Sequence, residues 1–527
     1  MLLNPNTAFL DALHSASSSS TQWAMGVEKE GLRIHPDGTL SQSPHFEGLG
    51  SKLCHPHITT DYAENLLELI TPPVHSFDEL DQWLSNLHHF TQSNIDDELI
   101  WPCSMPGNLP SDNEIPIAYY GTSNSGRMKS IYRQGLALRY GKVMQMIAGV
   151  HFNASYPDHW LALAADHFKA PGSEIHFHII RNFIRMQSLL LLLCGASPAV
   201  DRSLFGDKPI PHGMESLQRS TLFLPYATSL RMSDLGYTNV EQDIIQLTFN
   251  SLDEYTSALY RAVSLSHPPY EAIGLLDQFG DYQQLTTAFL QVENEHYCSI
   301  RPKQVSKRGE RPLCALKQRG VRYLEVRLLD LDPFHPLGIN EDAMALCQMV
   351  LLHCLISDSP AMTINEKRQL DAFALTVARE GRDPSLTIAK TLSDNPMTFH
   401  EWARRTLEAL QPTAALLNSL SKEHDYSQTL KRSLEQLNDT NLLPSSRYLN
   451  MLTEQHLDHR DLGLKLAQSH RAKHLDLELS QATIESFAQL KVQSVEDQQA
   501  LENNDTKTFS EYLDNYLLAP CSKLVDN

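Results

Sequence analysis

Near the start of the chain, residues 23–34 alternate with a period of two before a His-Pro-Asp-Gly turn at 35–38, a pattern that indicates a β-strand. Glu28 and Glu30 are two residues apart, so both carboxylates project from the same face of that strand. Two acids on one face are costly without a counter-charge, and such a pair taken alone favours a solvent-exposed face. The other strands decide whether these acids face water or a common interior.

The same arrangement recurs in later strand-like segments, where one face is apolar and the other carries a charged or polar side chain. The polar positions are Asp61 and Glu68 in 59–71, Gln145, His151 and Asn153 in 145–153, and Glu325 and Arg327 in 323–328. Taken singly, His151 is typical of a hydrogen-bonded core histidine. Several strands that each direct an acid or imidazole to one face are typical of a site for hard divalent cations, which take oxygen ligands. The sequence therefore predicts Mg²⁺ or Mn²⁺ as a cofactor.

The charge balance agrees with a need for cations. The 527 residues include 43 Lys and Arg against 63 Asp and Glu, and the resulting formal charge of −20 opposes binding to nucleic acid or to an anionic membrane surface. The same acidity repels a free nucleotide, so an enzyme that uses one needs divalent cations or clustered arginines. Arg133, Arg231 and Arg327 lie in strand- or turn-like contexts where a guanidinium can grip a carboxylate or phosphoryl group, although each one considered singly fits a surface salt bridge.

The cysteines and the N-terminal residues indicate a cellular compartment. Eight cysteines lie far apart without CxxC or zinc-type spacing, which favours a reducing compartment over a disulfide framework. Residues 1–20 have neither the basic start nor the long apolar core of a signal peptide. The apolar run 186–194 is too short to span a bilayer and predicts a buried helix. We expect a cytoplasmic protein.

Patterns along the chain predict an α+β fold with a largely antiparallel sheet. From about residue 358 onward, helix formers and scattered charge predict a mostly helical part. We therefore expect a catalytic α+β region at 1–357 and a helical region at 358–527 that packs on the same body. Strands are expected at about 55–62, 65–71, 143–154, 288–297 and 321–329, and helices at about 76–95, 173–194 and 339–356.

No common phosphate-binding loop is found in the sequence. Residues 120–127 resemble one in composition but lack the GxxxxGK[ST] spacing, so a turn explains them better. The sequence also has no GxGxxG at a strand-to-helix turn, no GxSxG and no HExxH. A nucleotide site in this chain would have to rely on metal ions.

Several sequence segments, in their order and spacing along the chain, resemble the bacterial, gamma-proteobacterial-type glutamate–cysteine ligases in their stand-alone form. The resemblance is specific from about residue 22 to 340 and looser in the helical remainder, where 445–452 still matches. That family is related in fold to glutamine synthetase, which implies an antiparallel sheet curved into an active-site funnel, with ATP and metals at one end and amino acids at the other. The matching segments are GVEKEGLRIHPDGTL at 26–40 and the segments at 58–72, 120–141, 149–153, 224–239, 292–303 and 323–338.

The resemblance implies a reaction in which ATP phosphorylates the γ-carboxyl of L-glutamate and the amine of L-cysteine then displaces phosphate. The products would be γ-glutamylcysteine, ADP and phosphate, in the first step of glutathione biosynthesis. The implied partners are L-glutamate, L-cysteine and ATP, with glutathione as a feedback inhibitor.

The resemblance also implies roles for single residues. By matching position, Arg133, Arg231 and Arg327 hold the substrate carboxylate and the acyl phosphate, and Ile147 contacts glutamate. The implied metal ligands are Glu28, Glu30, Asp61, Glu68, His151 and Glu325, and the implied cysteine pocket consists of Tyr62, Tyr132, Leu136, Gln145, Tyr237 and Tyr297.

Two residues depart from the family pattern. Tyr62 stands where Phe is expected, which adds a hydroxyl beside the thiol pocket, and Lys29 stands where Arg is usual. Lys29 is expected to face away from Glu28 and Glu30 because neighbours on a strand point to opposite faces.

Two alternatives stay open at this point. One is a ligase of the same superfamily that joins glutamate to a different amine, and the other is a catalytically silent regulator that binds metal or amino acid on the same fold. Acids at every matched position favour an enzyme, since a chain without catalysis is expected to have lost some of its metal ligands.

Overall fold

An antiparallel sheet of seven strands carries the acid-rich segments in the computed structural model, which describes residues 3–17, 23–236, 245–388, 392, 397–517 and 521. The strands in this part of the chain are β1 (Ala24–Ile34), β2 (Ile58–Thr60), β3 (Leu66–Ile70), β4 (Leu99–Ile100), β5 (Val150–Ser155), β6 (Ala199–Asp201), β7 (Glu215–Leu217), β8 (Thr221–Phe223), β9 (Ile300–Lys303) and β10 (Tyr323–Leu329). The main sheet has the order β2-β3-β1-β5-β10-β9, and the short β4 pairs with β1. A separate three-stranded sheet has the order β6-β8-β7.

Helices surround the sheets and make up most of the C-terminal part. They are α1 (Thr7–Ala16), α2 (Phe77–Gln92), α3 (Asn124–Tyr140), α4 (Asp158–His167), α5 (Glu174–Cys194), α6 (Leu252–Ser264), α7 (Pro268–Ile273), α8 (Pro312–Arg319), α9 (Glu341–Ile356), α10 (Ile364–Glu380), α11 (Phe399–Ala409), α12 (Gln411–Leu420), α13 (Tyr426–Asn438), α14 (Pro444–Glu454), α15 (His459–Leu475), α16 (Gln481–Asn504) and α17 (Phe509–Leu517). The helical character predicted from residue 358 onward is therefore confirmed for the described residues.

Strand β1 has neighbours on both sides and is buried along most of its length. It pairs antiparallel with β3 on one side and with β5 on the other. Lys29 is 3% exposed and lies on the face opposite Glu28 and Glu30, as the alternation predicts. Burial lowers the pKa of Lys29 to about 7.

Helices α5 and α9 form the centre of the hydrophobic core. Helix α5 packs against α9 and α10, and nearly all of its side chains are buried. Among the described residues it is the one helix with the length and apolar composition to cross a membrane, but 94% of its most apolar stretch is buried inside the protein. It is therefore a core helix, which confirms the prediction of a buried helix at 186–194.

The C-terminal helices share the core of the strand-rich part. Val377 and Tyr448 belong to the same buried hydrophobic cluster as Val27 of β1 and Phe152 of β5. Helix α15 packs on α2, and α17 packs on α3. The division into regions 1–357 and 358–527 stays a prediction.

The predicted strand at 288–297 is wrong. That segment contains a short 3₁₀ helix, Glu293–Glu295, and the strand at this edge of the sheet is β9. Two buried acids hold the segment in place, because Glu293 pairs with Arg311 at 2.7 Å and Glu295 accepts a hydrogen bond from the Tyr140 hydroxyl at 2.6 Å. These tertiary contacts override a local alternation that suggests a strand.

Two further assignments need correction. Residues 143–154 do not form one strand, because Val143–Met146 is a 3₁₀ helix and β5 begins only at Val150. The strand- or turn-like context predicted for Arg133 is a helix, α3, whose N-cap Ser123 accepts a hydrogen bond from the Gly126 amide. Residues 120–127 thus include the turn that was predicted and the first residues of a helix that was not.

The cysteines are mostly reduced. Six of the eight are free thiols, as their spacing favours, whereas Cys314 and Cys521 form a disulfide. That disulfide connects α8 to the C-terminal end of the chain, a pairing that spacing alone does not reveal.

Candidate active site

One face of the main sheet gathers the acids that the sequence singles out. In the register of the sheet, Glu30 lies opposite Glu68 and Glu28 lies opposite His151. On the next strand, Glu325 lies opposite Asn153. Directly opposed residues of antiparallel strands project from the same face, so four strands contribute to a single polar surface.

Glu28, His151 and Glu325 form the first acid group. Their possible ligand atoms all lie within 4.8 Å of one another, a separation that suits one shared cation. His151 Nδ1 donates to Glu28 Oε2 at 3.0 Å, and Asn153 Nδ2 donates to Glu28 Oε1 at 3.1 Å. His151 Nε2 then lies 3.7 Å from Glu30 Oε1, so this imidazole sits between two groups of acids.

Glu30, Asp61 and Glu68 form the second acid group. Glu30 accepts a hydrogen bond from the Gly149 amide at 2.6 Å. In the described part of the chain, the carboxylates of Asp61 and Glu68 accept no hydrogen bond. Burial and the charges of Glu28, Asp61 and Glu30 raise the pKa of Glu68 well above its usual range. This group therefore has an excess of negative charge that a cation would neutralise.

Glu325 has the opposite electrostatic environment. Lys303 Nζ lies 3.0 Å from its Oε1, Arg327 Nη1 donates to its Oε2 at 2.9 Å, and Arg301 Nη1 lies 3.8 Å away. Burial acts to raise the pKa of Glu325, but the charges of Lys303, Arg327 and Arg301 outweigh it and hold that pKa well below its usual range. Glu325 is thus an ionised, acceptor-only group at neutral pH.

Sequence reasoning missed Arg301 and Lys303. They lie on the same face of β9 because they are two residues apart, on either side of Pro302. The alternation of charged and uncharged residues in this segment was a usable signal, but the strand was expected at 288–297 instead.

Arg231 lies in a loop and is fixed against the end of β10. Its Nη2 donates to the Arg327 carbonyl at 2.9 Å and its Nη1 donates to the Leu329 carbonyl at 3.2 Å. Asp330 lies 3.9 Å from Nη1. A Cβ at Gly149 would overlap the guanidinium, so glycine at that position allows Arg231 to approach β5.

Arg133 reaches the site from α3. It donates to the carbonyls of Asp61 and Lys129, the latter at 3.0 Å, and its guanidinium lies 4.5 Å from the centre of the Tyr120 ring. These contacts hold the side chain in one orientation while one side remains open to the neighbouring cavity.

A cavity of about 240 Å³ brings most of the predicted residues together. The predicted residues that line it are Glu30, Asp61, Tyr62, Tyr132, Arg133, Leu136, Gln145, His151, Arg231, Tyr297 and Arg327. We call it the first cavity. The predicted residues Glu28, Glu68, Glu325 and the fully buried Ile147 do not line it, and Tyr237 lies outside the described residues. Tyr140 and Glu295 line it as well, although the sequence did not single them out.

A second cavity, of about 270 Å³, adjoins the first. Asn294 and Arg301 line both cavities, while Lys303, Tyr255 and Tyr323 line the second alone. The two cavities are thus neighbours at the cationic end of the acid-lined face.

Comparison with known proteins gives one consistent result. A family model described as glutamate–cysteine ligase matches residues 10–377. A relative from Saccharophagus degradans, named glutamate–cysteine ligase, is 40% identical over 498 residues that cover 93% of each chain.

Solved structures agree with that result. The crystal structure of a glutamate–cysteine ligase from Francisella tularensis in complex with AMP has a TM-score of 0.90 and 35% identity, and covers 95% of this chain and 98% of that one. A bifunctional glutathione synthetase from Pasteurella multocida has a TM-score of 0.69 and 25% identity, with coverage of 93% of this chain and 57% of that one. The predicted α+β fold is confirmed, and the chain belongs to the glutamate–cysteine ligase family.

Proposed function

We propose that this chain joins the γ-carboxyl of L-glutamate to the amine of L-cysteine at the expense of ATP. The products are γ-glutamylcysteine, ADP and phosphate, and the reaction is the first step of glutathione biosynthesis. The observation that carries the proposal is that two acid groups share one face of the sheet and that three of their members, Glu30, Asp61 and His151, line a cavity together with several arginines, in a member of this family.

The acid groups fit divalent metal ions. We assign Glu28, His151 and Glu325 to one Mg²⁺ or Mn²⁺, and the second group, Glu30, Asp61 and Glu68, to another. Oxygen ligands with a single imidazole are what these hard cations accept. The two carboxylates without a donor among the described residues, Asp61 and Glu68, support the second assignment. When bound, such ions neutralise nucleotide phosphates and stabilise the charge that develops in phosphoryl transfer.

The arginines position the reacting groups. Arg133, Arg231 and Arg327 reach the first cavity from a helix, a loop and a strand, and each guanidinium is also bonded to protein. A guanidinium held in this way can orient the γ-carboxylate toward the phosphoryl group and then hold the acyl phosphate. Catalysis by orientation and charge stabilisation needs no covalent intermediate on the enzyme.

We place the amino acids in the first cavity and the nucleotide in the second. Tyr62, Tyr132, Leu136, Gln145 and Tyr297 give the first cavity aromatic and apolar walls that suit a small thiol side chain. The proposal extends to Tyr237 in the same pocket and to Ile147 as a contact of glutamate. Lys303, which lines the second cavity and faces Glu325, supports a triphosphate at the junction. The AMP in the Francisella relative supports a nucleotide site in this family.

Two further parts of the proposal concern the cellular compartment and the regulation of the enzyme. Six free cysteines agree with a cytoplasmic enzyme. Glutathione contains the γ-glutamylcysteine unit, and we propose that it acts as a feedback inhibitor by placing this unit in the first cavity.

The reaction is tested by a comparison of amines. ADP release is measured with MgATP and glutamate in the presence of cysteine, ammonia, putrescine or 2-aminobutyrate. We expect the highest kcat/KM with cysteine and γ-glutamylcysteine as the product. Preference for another of these amines would favour the related ligase, and no MgATP turnover with both amino acids would favour the silent regulator.

The site is tested by Glu325→Gln and Arg327→Ala. Each is expected to lower turnover by orders of magnitude without loss of the fold, because each removes a charge from the acid-lined face. Glu215→Gln, the same change on the exposed strand β7, is the matched control and should retain activity. Near-normal turnover in either site variant would mean that a different face of the sheet carries the reaction.

A further inference from the structure

The proposed reaction includes a proton for which no acceptor has been named. The amine of cysteine is mostly an ammonium ion at neutral pH, and it must lose a proton before its nitrogen can attack the acyl phosphate. The acceptor must line the first cavity, where the amino acids are placed, and must lie within hydrogen-bond reach of the amine. The identity of this acceptor therefore rests on the proposed function.

Few side chains of the first cavity can take a proton near neutral pH. Among the described residues that line it, the carboxylates and imidazoles are Glu30, Asp61, His151, Glu295 and His296. The first three belong to the proposed metal sites, and a group that holds a cation is not available as a base. Burial and nearby positive charges lower the pKa of His296 to about 3, so its imidazole is a very weak base. Burial also raises the pKa of the four tyrosines in the lining above its ordinary value of 10, so these side chains stay protonated.

Glu295 is the carboxylate that remains, and three donors fix its orientation. The Tyr140 hydroxyl donates to Oε1 at 2.6 Å, and Arg139 Nη1 donates to the same oxygen at 3.4 Å. The Gln291 amide donates to Oε2 at 2.6 Å. An ionised carboxylate has about four acceptor positions, so a fixed orientation is compatible with a further contact to a substrate. Glu295 is 8% exposed and lines the cavity with that small accessible part.

Glu295 lies beside the walls of the proposed cysteine pocket. Tyr132, Leu136 and Tyr140 follow one another at intervals of four along α3, so they share one face of that helix, and all three line the first cavity. Tyr132 and Leu136 are assigned to the pocket, and Glu295 is bonded to the third member of this row. Tyr297, another wall of the pocket, lies two residues after Glu295. The carboxylate is therefore next to the place where the proposed function puts cysteine.

The surroundings of Glu295 favour proton uptake. Burial raises the pKa of Glu295 above its ordinary value of 4.5, although the charge of Arg139 and the hydrogen bond from Tyr140 act to lower it. The other titratable groups close to it are neutral phenols: Tyr132 on α3, and Tyr270 on α7, whose hydroxyl donates to that of Tyr140 at 3.3 Å. A carboxylate with a raised pKa is a stronger proton acceptor than an ordinary one.

We propose that Glu295 is the general base of the second step, in which the amine displaces phosphate. Its carboxylate takes one proton from the cysteine ammonium and becomes a carboxylic acid, and the neutral amine attacks the carbonyl carbon of the acyl phosphate. The C–N bond forms, and the bond between that carbon and the phosphate oxygen breaks. The second proton of the amine leaves with the phosphate, and Glu295 returns its own proton to solvent after the product departs.

The pH dependence of Glu295→Gln tests this role, because glutamine keeps an acceptor for Tyr140 but cannot take a proton. The measurement is kcat/KM for cysteine, with saturating MgATP and glutamate. At about pH 7 we expect the variant to be about 100-fold slower than wild type, a typical contribution of a general base. Between about pH 7 and about pH 9 the difference should shrink by about tenfold per pH unit, because solvent then supplies the neutral amine.

Glu271→Gln, at an exposed position on α7, is the matched control and should keep the wild-type profile. A Glu295→Gln variant as fast as wild type at neutral pH would overturn the assignment. A variant slower by the same factor at every pH would also overturn it, because loss of a purely structural contact has that effect. If wild type itself forms no γ-glutamylcysteine, the proposed function fails, and the assignment fails with it.

Tyr140→Phe provides a second test, which remains available if Glu295→Gln does not fold. The change removes a hydrogen bond that acts to lower the pKa of Glu295. The acidic limb of the kcat/KM profile for cysteine should therefore move to higher pH than in wild type. An acidic limb at the same pH in both proteins would overturn the assignment.

Discussion

Two carboxylates on the same face of the sheet show how neighbouring charges set the pKa of a buried acid. Both Glu68 and Glu325 are affected by burial, which acts to raise the pKa of a carboxyl group. Glu325 faces Lys303, Arg327 and Arg301, and its pKa falls, whereas Glu68 faces mainly other acids, and its pKa rises. In the sequence the two glutamates are similar. The difference between their pKa values arises from neighbours on other strands and helices.

Tyr62 is the residue whose side chain bears most directly on the choice of amine. Its hydroxyl is buried and has no partner in the described part of the chain, while the residue itself lines the first cavity. A hydroxyl in that position can hydrogen-bond the side chain of serine, whereas a phenyl ring cannot. Tyr62→Phe should therefore raise the kcat/KM ratio of cysteine over serine by about 3- to 10-fold, the value of one ordinary hydrogen bond.

Tyr120→Phe is the matched control for that prediction. The Tyr120 hydroxyl donates to the Thr60 carbonyl at 2.6 Å, and Tyr120 does not line the first cavity. We expect Tyr120→Phe to lower the melting temperature and to leave the cysteine-to-serine ratio unchanged. An unchanged ratio in Tyr62→Phe would show that its hydroxyl does not reach the amine substrate.

At the scale of elements, the site depends on the close approach of a loop to a strand. Arg231 belongs to a loop, and it reaches the first cavity because Gly149, just before β5, has no side chain. The same guanidinium donates to the Arg327 and Leu329 carbonyls, which ties the loop to β10. The position of this guanidinium is therefore set jointly by two strands and one glycine.

Gly149→Ala tests this packing. The backbone at Gly149 is not left-handed, so alanine is tolerated by the main chain and its Cβ acts only by displacing Arg231. A displacement of about 1 Å at a positioning group can cost about 100-fold in rate, and we expect turnover to fall by roughly 10- to 100-fold. Steady-state turnover is measured together with circular dichroism to confirm that the fold is retained.

Gly26→Ala is the control in the same sheet. Its Cβ would lie 3.3 Å from Thr71 Oγ1, a contact that a small shift relieves. We expect this variant to keep most of its activity. Turnover near wild type in Gly149→Ala would mean that Arg231 need not occupy its observed position.

The sequence predicts elements and faces well where the signal is local. Alternation in β1, β3 and β10 placed Glu28, Glu30, Glu68, Glu325 and Arg327 on their common face, because the direction of a side chain on a strand depends only on its own position. The pairing of these strands, and thus which acids meet, needs contacts between distant segments. Helix α3 was missed because its first turn is rich in Ser, Asn and Gly, and β9 was missed because the alternation before it was stronger.

At the scale of the whole molecule, the C-terminal helices complete the surroundings of β1. A small cavity on the face of β1 opposite the acids shows this, since Lys29 lines it together with His470 and His474 of α15, which lie more than 400 positions further along the chain. No local pattern at residue 29 indicates these neighbours. Sequence reasoning assigned Lys29 to the correct face, but the structure was needed to show what that face contacts.

Buried histidines make the stability of the whole protein depend on pH. Burial lowers the pKa of His176 to about 4 and that of His353 to about 4, from an ordinary value of 6.5. Below pH 6.5 these groups take up protons in the unfolded chain while they remain neutral in the folded protein, so the unfolded state gains stability. We expect the free energy of unfolding to fall as the pH is lowered from about 6.5 to about 4.

His353→Gln isolates the contribution of one such group. Urea titrations between pH 7 and pH 4.5 should show a slope smaller than that of wild type by up to about 1.4 kcal/mol per pH unit, which corresponds to one proton. His14→Gln, at an exposed position on α1, should keep the wild-type slope. Equal slopes in His353→Gln and wild type would contradict the predicted protonation difference.

The central claim is that the acid-lined face of the main sheet holds metal ions beside the nucleotide. The most direct measurement is the anomalous scattering of Mn²⁺ in a crystal of the protein grown with ADP. The account predicts one peak among Glu28, His151 and Glu325 and another among Glu30, Asp61 and Glu68, with ADP phosphates next to them. Mn²⁺ and ADP bound elsewhere, with Glu325 still paired to Lys303 and no density at these acids, would contradict it.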